Sequence, residues 1–273
     1  GAVVMFQVTV IVPAYNAAET LRETIDSILV QTCPAHGIIV VDDGSQDGTA
    51  ELLRQWYTQH CSVHGDCRER RNVRVMLLFH DRNRGKGSAI RTGLQYATGH
   101  YVVIQDADME YDPADYRNLL APLLNEEADV VYGSRRLGER MYSELNCMQK
   151  WVQIPRTWAN PYYHGVTILN LLVRMWFRLR VTDEATCYKV LPLEVLRAMD
   201  LECERFEFCP EVTAKIARMG LRLKEVPIQY RGRSRRQGKK IRFRDGWEAI
   251  CTLWRYRSWR PSKRPETEEK RCR

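Results

Sequence analysis

The sequence predicts an α/β fold: a doubly wound, mostly parallel sheet with flanking helices and, toward the C-terminal end, amphipathic helices. Three observations predict it. Apolar, β-branched runs such as Val8 to Val12 (VTVIV) and Ile38 to Val41 (IIVV) are continuous rather than alternating, as in strands buried on both faces. Segments with apolar residues three and four positions apart follow these runs. The two kinds of segment alternate through Tyr132, which implies crossover connections and parallel pairing. Such sheets bind ligands beyond the carboxyl ends of their strands.

The first strand, Val8 to Val12, stops at Pro13, and Thr20 to Leu29 follows with helical spacing through Leu21, Ile25 and Ile28. Ile38 to Val41 is the second strand, and the acidic, glycine-bearing turn after it leads into a helix. Val73 to Phe79 reads as strand, Ser88 to Tyr96 as helix, Tyr101 to Ile104 as strand, Asp112 to Leu123 as helix and Val130 to Tyr132 as strand. From Gly133 to Pro161 the periodicity fades, so this stretch is expected to be a long loop of the kind that forms lids. Tyr162 to Leu179 resumes as an apolar helix carrying Arg174 and Arg178. A strand and helices around Tyr188 to Met199 and Glu211 to Met219 come next, then strand residues Leu221 to Ile228. Phe243, Trp247, Ile250 and Trp254 recur at helical spacing among arginines, the pattern of a basic amphipathic helix. The final stretch, PSKRPETEEKRCR, is polar and charged, and a disordered tail is expected.

With 44% hydrophobic and 28% charged residues, the 273-residue chain has the composition of a folded globular protein. Lys and Arg number 42 against 34 acidic residues, a net charge of +8, and much of the excess lies between Arg231 and Arg273. That basicity suits an anionic partner: a phosphate-bearing substrate, an acidic membrane face or nucleic acid. Nine cysteines, several inside apolar segments, point to a reducing compartment. No apolar stretch reaches the roughly 18 residues that would span a bilayer, so a soluble or monotopic protein is expected.

Chemistry concentrates at the strand ends. QDADMEYDP, Gln105 to Pro113, places Asp106 and Asp108 directly after the strand YVVI, with Glu110 one alternation further on. Carboxylates one residue apart at a sheet mouth converge on a hard divalent cation, Mg or Mn, whose other sites diphosphate oxygens and water can fill. IVPAYNAAETL leaves the first strand through Pro13 and Tyr15, and VVDDGSQDGT leaves the second through Asp42 and Asp43. An aromatic ring can cover a nucleobase and a carboxylate can accept from a base N–H, although each segment alone is an ordinary strand-to-helix turn. NRGKGSAI, Asn83 to Ile90, is a glycine-bearing loop opening a helix, where free N–H groups and Lys86 suit phosphate, but it lacks P-loop spacing.

PAYN, VVDDGSxDGT, NxGKGxA and DADxxxxP, in this order, resemble the nucleotide-binding half of family-two glycosyltransferases, with the GT-A fold. YGSRRL, TDEATCYKV, FCPEVTAKIARMGLRLKEVPIQY and GKKIRFRDG are similar to the branch containing polyprenyl-phosphate sugar synthases, so the likeness spans nearly the whole chain. It implies an inverting, metal-dependent enzyme that takes a nucleotide-diphosphate sugar, GDP-mannose or a UDP-sugar, and passes a hexose to a polyprenyl phosphate. It also implies donor contacts by Pro13, Tyr15, Asp42, Asp43, Lys86 and Asp106, and metal ligation by Asp106, Asp108 and Glu110. The acceptor phosphate and diphosphate map onto Arg135, Arg233, Lys239 and Lys240, and Asp183 falls near the acceptor as an orienting group or base. A soluble hydroxyl acceptor is the alternative, and Asp183 would then be the general base.

The implied organisation is a catalytic domain over 1–230, with a nucleotide-sugar half over 1–135 and an acceptor half over 136–230, then a basic loop and amphipathic helix over 231–260 and a tail over 261–273. Three positions depart from the pattern: Ala17 stands where many relatives carry Glu, Glu110 where Gln is frequent, and Cys187 where Gly is common. The QxxRW motif of processive enzymes is absent. HCSVHGDC, His60 to Cys67, gathers zinc-type ligands, but their spacing fits no ordinary finger. The acidic cluster argues against a nucleic-acid module. Trp and flanking Arg in the two amphipathic segments, Tyr162 to Leu179 and Phe243 to Trp259, predict peripheral attachment at the cytoplasmic membrane face.

Overall fold

The computed structural model of the chain describes residues 7–33, 35–62, 66–67, 73–144, 161–232 and 243–261. The first part runs β1 (Val8–Ala14), α1 (Leu21–Leu29), β2 (Gly37–Asp42), α2 (Thr49–His60), β3 (Arg74–Phe79), α3 (Lys86–Tyr96) and β4 (Tyr101–Ile104). A 3-10 turn (Pro113–Asp115) then leads into α4 (Tyr116–Leu124), β5 (Val130–Ser134) and α5 (Arg135–Glu144). The remainder is α6 (Pro161–Phe177), β6 (Lys189–Pro192), α7 (Leu193–Ala198), α8 (Phe208–Arg218), β7 (Leu223–Pro227) and α9 (Phe243–Tyr256).

Among the described residues the strands form one seven-stranded sheet in the order β3-β2-β1-β4-β6-β5-β7. Pairing is parallel throughout except at β6, which runs antiparallel to both β4 and β5. The continuous apolar runs behave as strands with helices on both faces must: every residue of β2 is buried, while edge strand β3 keeps Arg74 and Phe79 exposed. The main core fills the space between sheet and helices. A smaller cluster of Leu169, Val173, Val181, Ala214, Ala249, Leu253 and Tyr256 joins α6, α8 and α9.

One expectation changes. The lid-like loop over 133–161 is, as far as the described residues run, the end of β5 followed by helix α5; its apolar positions are too sparse for periodicity to register. On α9, Ala249, Leu253 and Tyr256 face the core, whereas Trp247 and Trp254, on the stripe read from sequence, are 64% and 51% exposed. In the zinc-like segment, His60 Nδ1 meets the Trp56 carbonyl oxygen at 2.8 Å, and Cys61 and Cys67 are buried and bridged through their backbones. His64 and the 262–273 part of the tail lie outside the described residues.

Helix α5 approaches β7 as closely as a glycine allows. A Cβ on Gly138 would sit 2.0 Å from the Ile228 carbonyl oxygen. Backbone has no rotamer with which to yield, so Gly138→Ala must push α5, and Arg135 at its start, away from the sheet. We expect this variant to melt roughly 2–10 °C below wild type, from an overpacking cost of about 1–3 kcal/mol. An unchanged melting temperature in a circular-dichroism scan would contradict the close approach.

Candidate active site

The turns leaving β1 and β2 are tied together. Asn16 N–H donates to Ser45 Oγ and its Oδ1 accepts from Gln46 N–H, both at 2.9 Å, while Ala17 and Ala18 N–H donate to Thr49 Oγ1 and Asp47 Oδ2 at 3.0 and 3.1 Å. The interlock holds open a pocket of about 300 Å³ at the carboxyl end of the sheet, lined by residues that include Tyr15, Asp42, Ser45, Phe79, His80 and Arg82. Asp42 is 2% exposed, and among the described residues its Oδ1 has no hydrogen-bond partner. A buried carboxylate oxygen left so beside a cavity is a specific acceptor for a ligand N–H. Pro13 pairs with Val41 inside β1 and is not among the lining residues.

Asp43, predicted beside the donor, organises a turn. Its Oδ1 accepts from Arg84 N–H at 2.9 Å and meets His80 Nδ1 at 2.7 Å; its Oδ2 accepts from Gly85 N–H at 2.7 Å. Gly85 has φ +97°, and a Cβ there would lie 2.4 Å from the Glu204 carbonyl oxygen, so only glycine fits. The turn delivers Lys86 as the first residue of α3, with Nζ 2.5 Å from Asp106 Oδ1. Burial disfavours the ammonium, but the Asp106 carboxylate outweighs it and holds the Lys86 amine well above the ordinary lysine range.

Asp106 and Asp108 follow β4 with partly exposed side chains; Asp108 Oδ1 accepts from Glu110 N–H at 3.2 Å. The expected three-carboxylate set is not assembled. Glu110 is buried, with its Oε2 taken by the Tyr230 hydroxyl at 2.5 Å, and no group of three or more His, Cys, Asp or Glu is placed to hold a metal among the described residues. Two hard carboxylates at an open mouth still fit Mg or Mn, which usually keep water and phosphate oxygens in the remaining positions. The fit is therefore to Asp106 and Asp108. Beneath them lies Gln105, for which the sequence alone suggests no role: wholly buried, it accepts through Oε1 from Tyr116 and Tyr188 at 2.8 and 2.6 Å and donates to the Asp106 and Tyr111 carbonyls.

On the far side of the mouth, Arg135 and Asp183 form a fork. Arg135 Nε and Nη2 donate to Asp183 Oδ2 and Oδ1 at 2.7 Å each, and Arg135 N–H, opening α5, adds a third bond at 3.0 Å. Burial raises the Asp183 carboxyl, but Arg135 beside it outweighs that and leaves the group below the usual carboxylate range. The loop bearing Asp183 is clamped in turn. Glu225 accepts from Thr182 and Asp183 N–H, while Asn170 donates to the Thr182 carbonyl at 2.6 Å and accepts from Glu184 N–H at 2.9 Å. The Arg135 guanidinium also lies over the Tyr230 ring at 5.0 Å, so Tyr230 links it to Glu110. Arg233, Lys239 and Lys240 lie outside the described residues.

Tyr230 is brought there by Asp115, which is 2% exposed and accepts from Gln229 N–H at 2.7 Å. Burial pushes the Asp115 carboxyl up to about 7. A carboxyl raised on folding binds more protons in the native state, so the contribution of Asp115 to stability is most favourable below about pH 4 and declines as pH climbs toward 7, by at most about 1.4 kcal/mol per pH unit. Asp115→Asn should remove this dependence. In urea titrations at pH 5 and pH 7.5, the wild type should lose more stability between the two than the variant; equal losses would refute the assignment.

The family model described as Glycosyl transferase family 2 matches residues 9–172. A UDP-N-acetylglucosamine–dolichyl-phosphate N-acetylglucosaminyltransferase of Methanococcus voltae is 24% identical over 224 residues, 80% of this chain and 83% of its own. An undecaprenyl-phosphate mannosyltransferase of Micrococcus luteus is 29% identical over 230 residues, 82% of this chain and 83% of its own. Among solved structures, glucosyl-3-phosphoglycerate synthase from Mycobacterium tuberculosis, in complex with Mn2+, UDP and phosphoglyceric acid, is similar with a TM-score of 0.64 at 19% identity, covering 94% of this chain and 80% of that one. A mannosyltransferase from Pyrobaculum calidifontis, in complex with GDP-Man and Mn2+, gives 0.53 at 25% identity over 81% of this chain and 55% of its own. The sheet and its helices have the GT-A fold, and with the family model matched over more than half its length, the chain belongs to glycosyl transferase family 2.

Proposed function

We propose that the chain is an inverting glycosyltransferase that moves a hexose from a nucleotide-diphosphate sugar, GDP-mannose or a UDP-sugar, to a polyprenyl phosphate, using Mg or Mn. The nucleobase enters the pocket beside Tyr15 and donates an N–H to the unpartnered Asp42 Oδ1. The diphosphate reaches the mouth, where Lys86 offers positive charge and Asp106 and Asp108 would hold the cation. When bound, that cation supplies Lewis-acid neutralisation of the leaving diphosphate. Arg135, with Nη1 unspent on Asp183, orients the incoming phosphate for in-line attack at the anomeric carbon, and the sugar inverts.

The observation that carries the choice of acceptor is the Arg135–Asp183 fork. A hydroxyl acceptor needs a general base, and a carboxylate locked by three hydrogen bonds and held below its ordinary range is a poor one. A phosphate oxygen is already ionised and needs only positioning. The polyprenyl-phosphate transferases among the relatives support the same choice. The exposed apolar residues Ile168, Leu171 and Met175 on α6 and Trp247 and Trp254 on α9 support a peripheral membrane contact, since among the described residues no helix is long and apolar enough to cross a bilayer.

Two outcomes test the donor side of this reading. Asp108→Ala should lose turnover and the Mn-dependent thermal shift with UDP or GDP while keeping the wild-type melting temperature without ligand; retained turnover would sink the metal assignment. Asp42→Asn should weaken nucleotide binding by roughly tenfold to a hundredfold, the worth of a hydrogen bond to a charged group. For the acceptor, Asp183→Asn should lower kcat by loosening Arg135 but leave the shape of the pH profile unchanged. Loss of an acid limb in that variant would instead reveal a general base and favour a hydroxyl acceptor.

A further inference from the structure

Beside the apolar stripe of α6 lies a second cavity, of about 330 Å³, between α5, α6 and the segment that follows α6. Four arginines line it: Arg136 and Arg140 one turn apart on α5, Arg174 in the last turn of α6, and Arg180 just beyond. Among the described residues, no carboxylate lines it. With Arg136, the exposed Arg174 and Arg180 gather positive charge around one cavity, which attracts an anion. Arg136 is braced for that role, donating to the Tyr163 carbonyl and Thr167 Oγ1 at 2.9 and 2.8 Å and stacking over the Tyr163 ring at 4.3 Å. Arg140, Arg174 and Arg180 are exposed.

The rest of the wall is apolar at Leu137 and Leu171. Leu171 is 62% exposed and also belongs to the outward stripe with Ile168 and Met175. One side of the cleft thus recognises negative charge and its rim recognises hydrocarbon. A free phosphate satisfies only the first; a headgroup seated in a bilayer satisfies both. We propose that this cleft binds the phosphate headgroup of an anionic membrane phospholipid, with the α6 stripe against its acyl chains. The inference rests on the membrane contact proposed above and adds its lipid chemistry and its place. Asn170 and Thr182 line the same cleft and clamp the Asp183 loop, so the bound lipid lies one wall away from Arg135.

The test is flotation of the full chain with phosphatidylcholine vesicles and with vesicles that also contain phosphatidylglycerol, at about 0.15 M ionic strength. Wild type should float with the anionic vesicles far more than with the neutral ones. Arg174→Glu with Arg180→Glu should reduce anionic partitioning roughly tenfold or more, while the thermal shift given by UDP or GDP with Mn stays at the wild-type value and reports an intact fold. The milder R174Q/R180Q pair should move the same way by a smaller factor. Equal flotation of wild type and double variant, equal flotation on neutral and anionic vesicles, or full competition by millimolar glycerol phosphate would each overturn the proposal while leaving the membrane contact standing. No flotation with any vesicle would overturn both.

Discussion

Burying Asp183 at 1% exposure against the Arg135 guanidinium is a costly local choice, and much else is arranged to make it tolerable. Two charges taken out of water repay their desolvation only when geometry is good and the remaining lone pairs are satisfied. Here the fork is bidentate, and Arg135 N–H at the start of α5 adds a bond where the helix dipole also favours negative charge. Ser134 Oγ accepts from Leu137 N–H at 3.1 Å and completes the cap. Glu225, from β7, takes the Thr182 and Asp183 amides, and Asn170 pins the same loop from α6. Removing either charge would leave the other buried alone, a loss of about 3–5 kcal/mol. The pair therefore fixes α5, the 182–184 loop and the cation facing the mouth together.

The donor side rests on a different device, a division of roles among its acidic groups. Asp43 is consumed by backbone amides and His80, Asp106 is neutralised by Lys86, and Asp42 alone keeps a buried oxygen without a partner. Adjacent residues of one motif so do opposite things. Asp43 faces the 84–85 turn and shapes the phosphate end, whereas Asp42 faces the cavity and suits a base edge. A carboxylate whose bonds are all made is structural; one that is buried and short of a partner is chemical.

These distinctions explain what could be read from the chain and what could not. The first four strands and their helices were legible because each is a local pattern, a β-branched run or a 3.6-residue spacing. The placement of Tyr15, Asp42, Asp106 and Asp108 at strand ends was legible because motif and strand end coincide. The antiparallel direction of β6 was not, since its four residues are placed between β4 and β5 by long-range pairing rather than by their own pattern. The partners of Glu110 and Asp183 were hidden for the same reason: Tyr230 is 120 residues from Glu110, and Arg135 is 48 from Asp183. Without those partners, Glu110 reads as a third metal ligand and Asp183 as a base. The α9 helix carries two apolar stripes, and the one with tryptophans is the more conspicuous in sequence.

That second stripe completes the physical argument. An exposed tryptophan carries the largest apolar surface of any side chain, and two of them on one short helix, beside three exposed apolar residues on α6, make an unfavourable water-facing surface for a molecule with a closed core elsewhere. The α6 and α9 helices are joined by the Trp176–Trp254 edge contact at 5.4 Å and share the small core of Leu169, Val173 and Leu253. Their outward residues are thus presented by a rigid pair rather than by loose loops. Through Asn170 the same α6 helix clamps the loop that bears Asp183. The lipid-borne acceptor proposed above would have to present its phosphate to Arg135 while its hydrocarbon stays out of water, and one helix that carries both an apolar outer stripe and the clamp behind Arg135 suits those two demands in a single element.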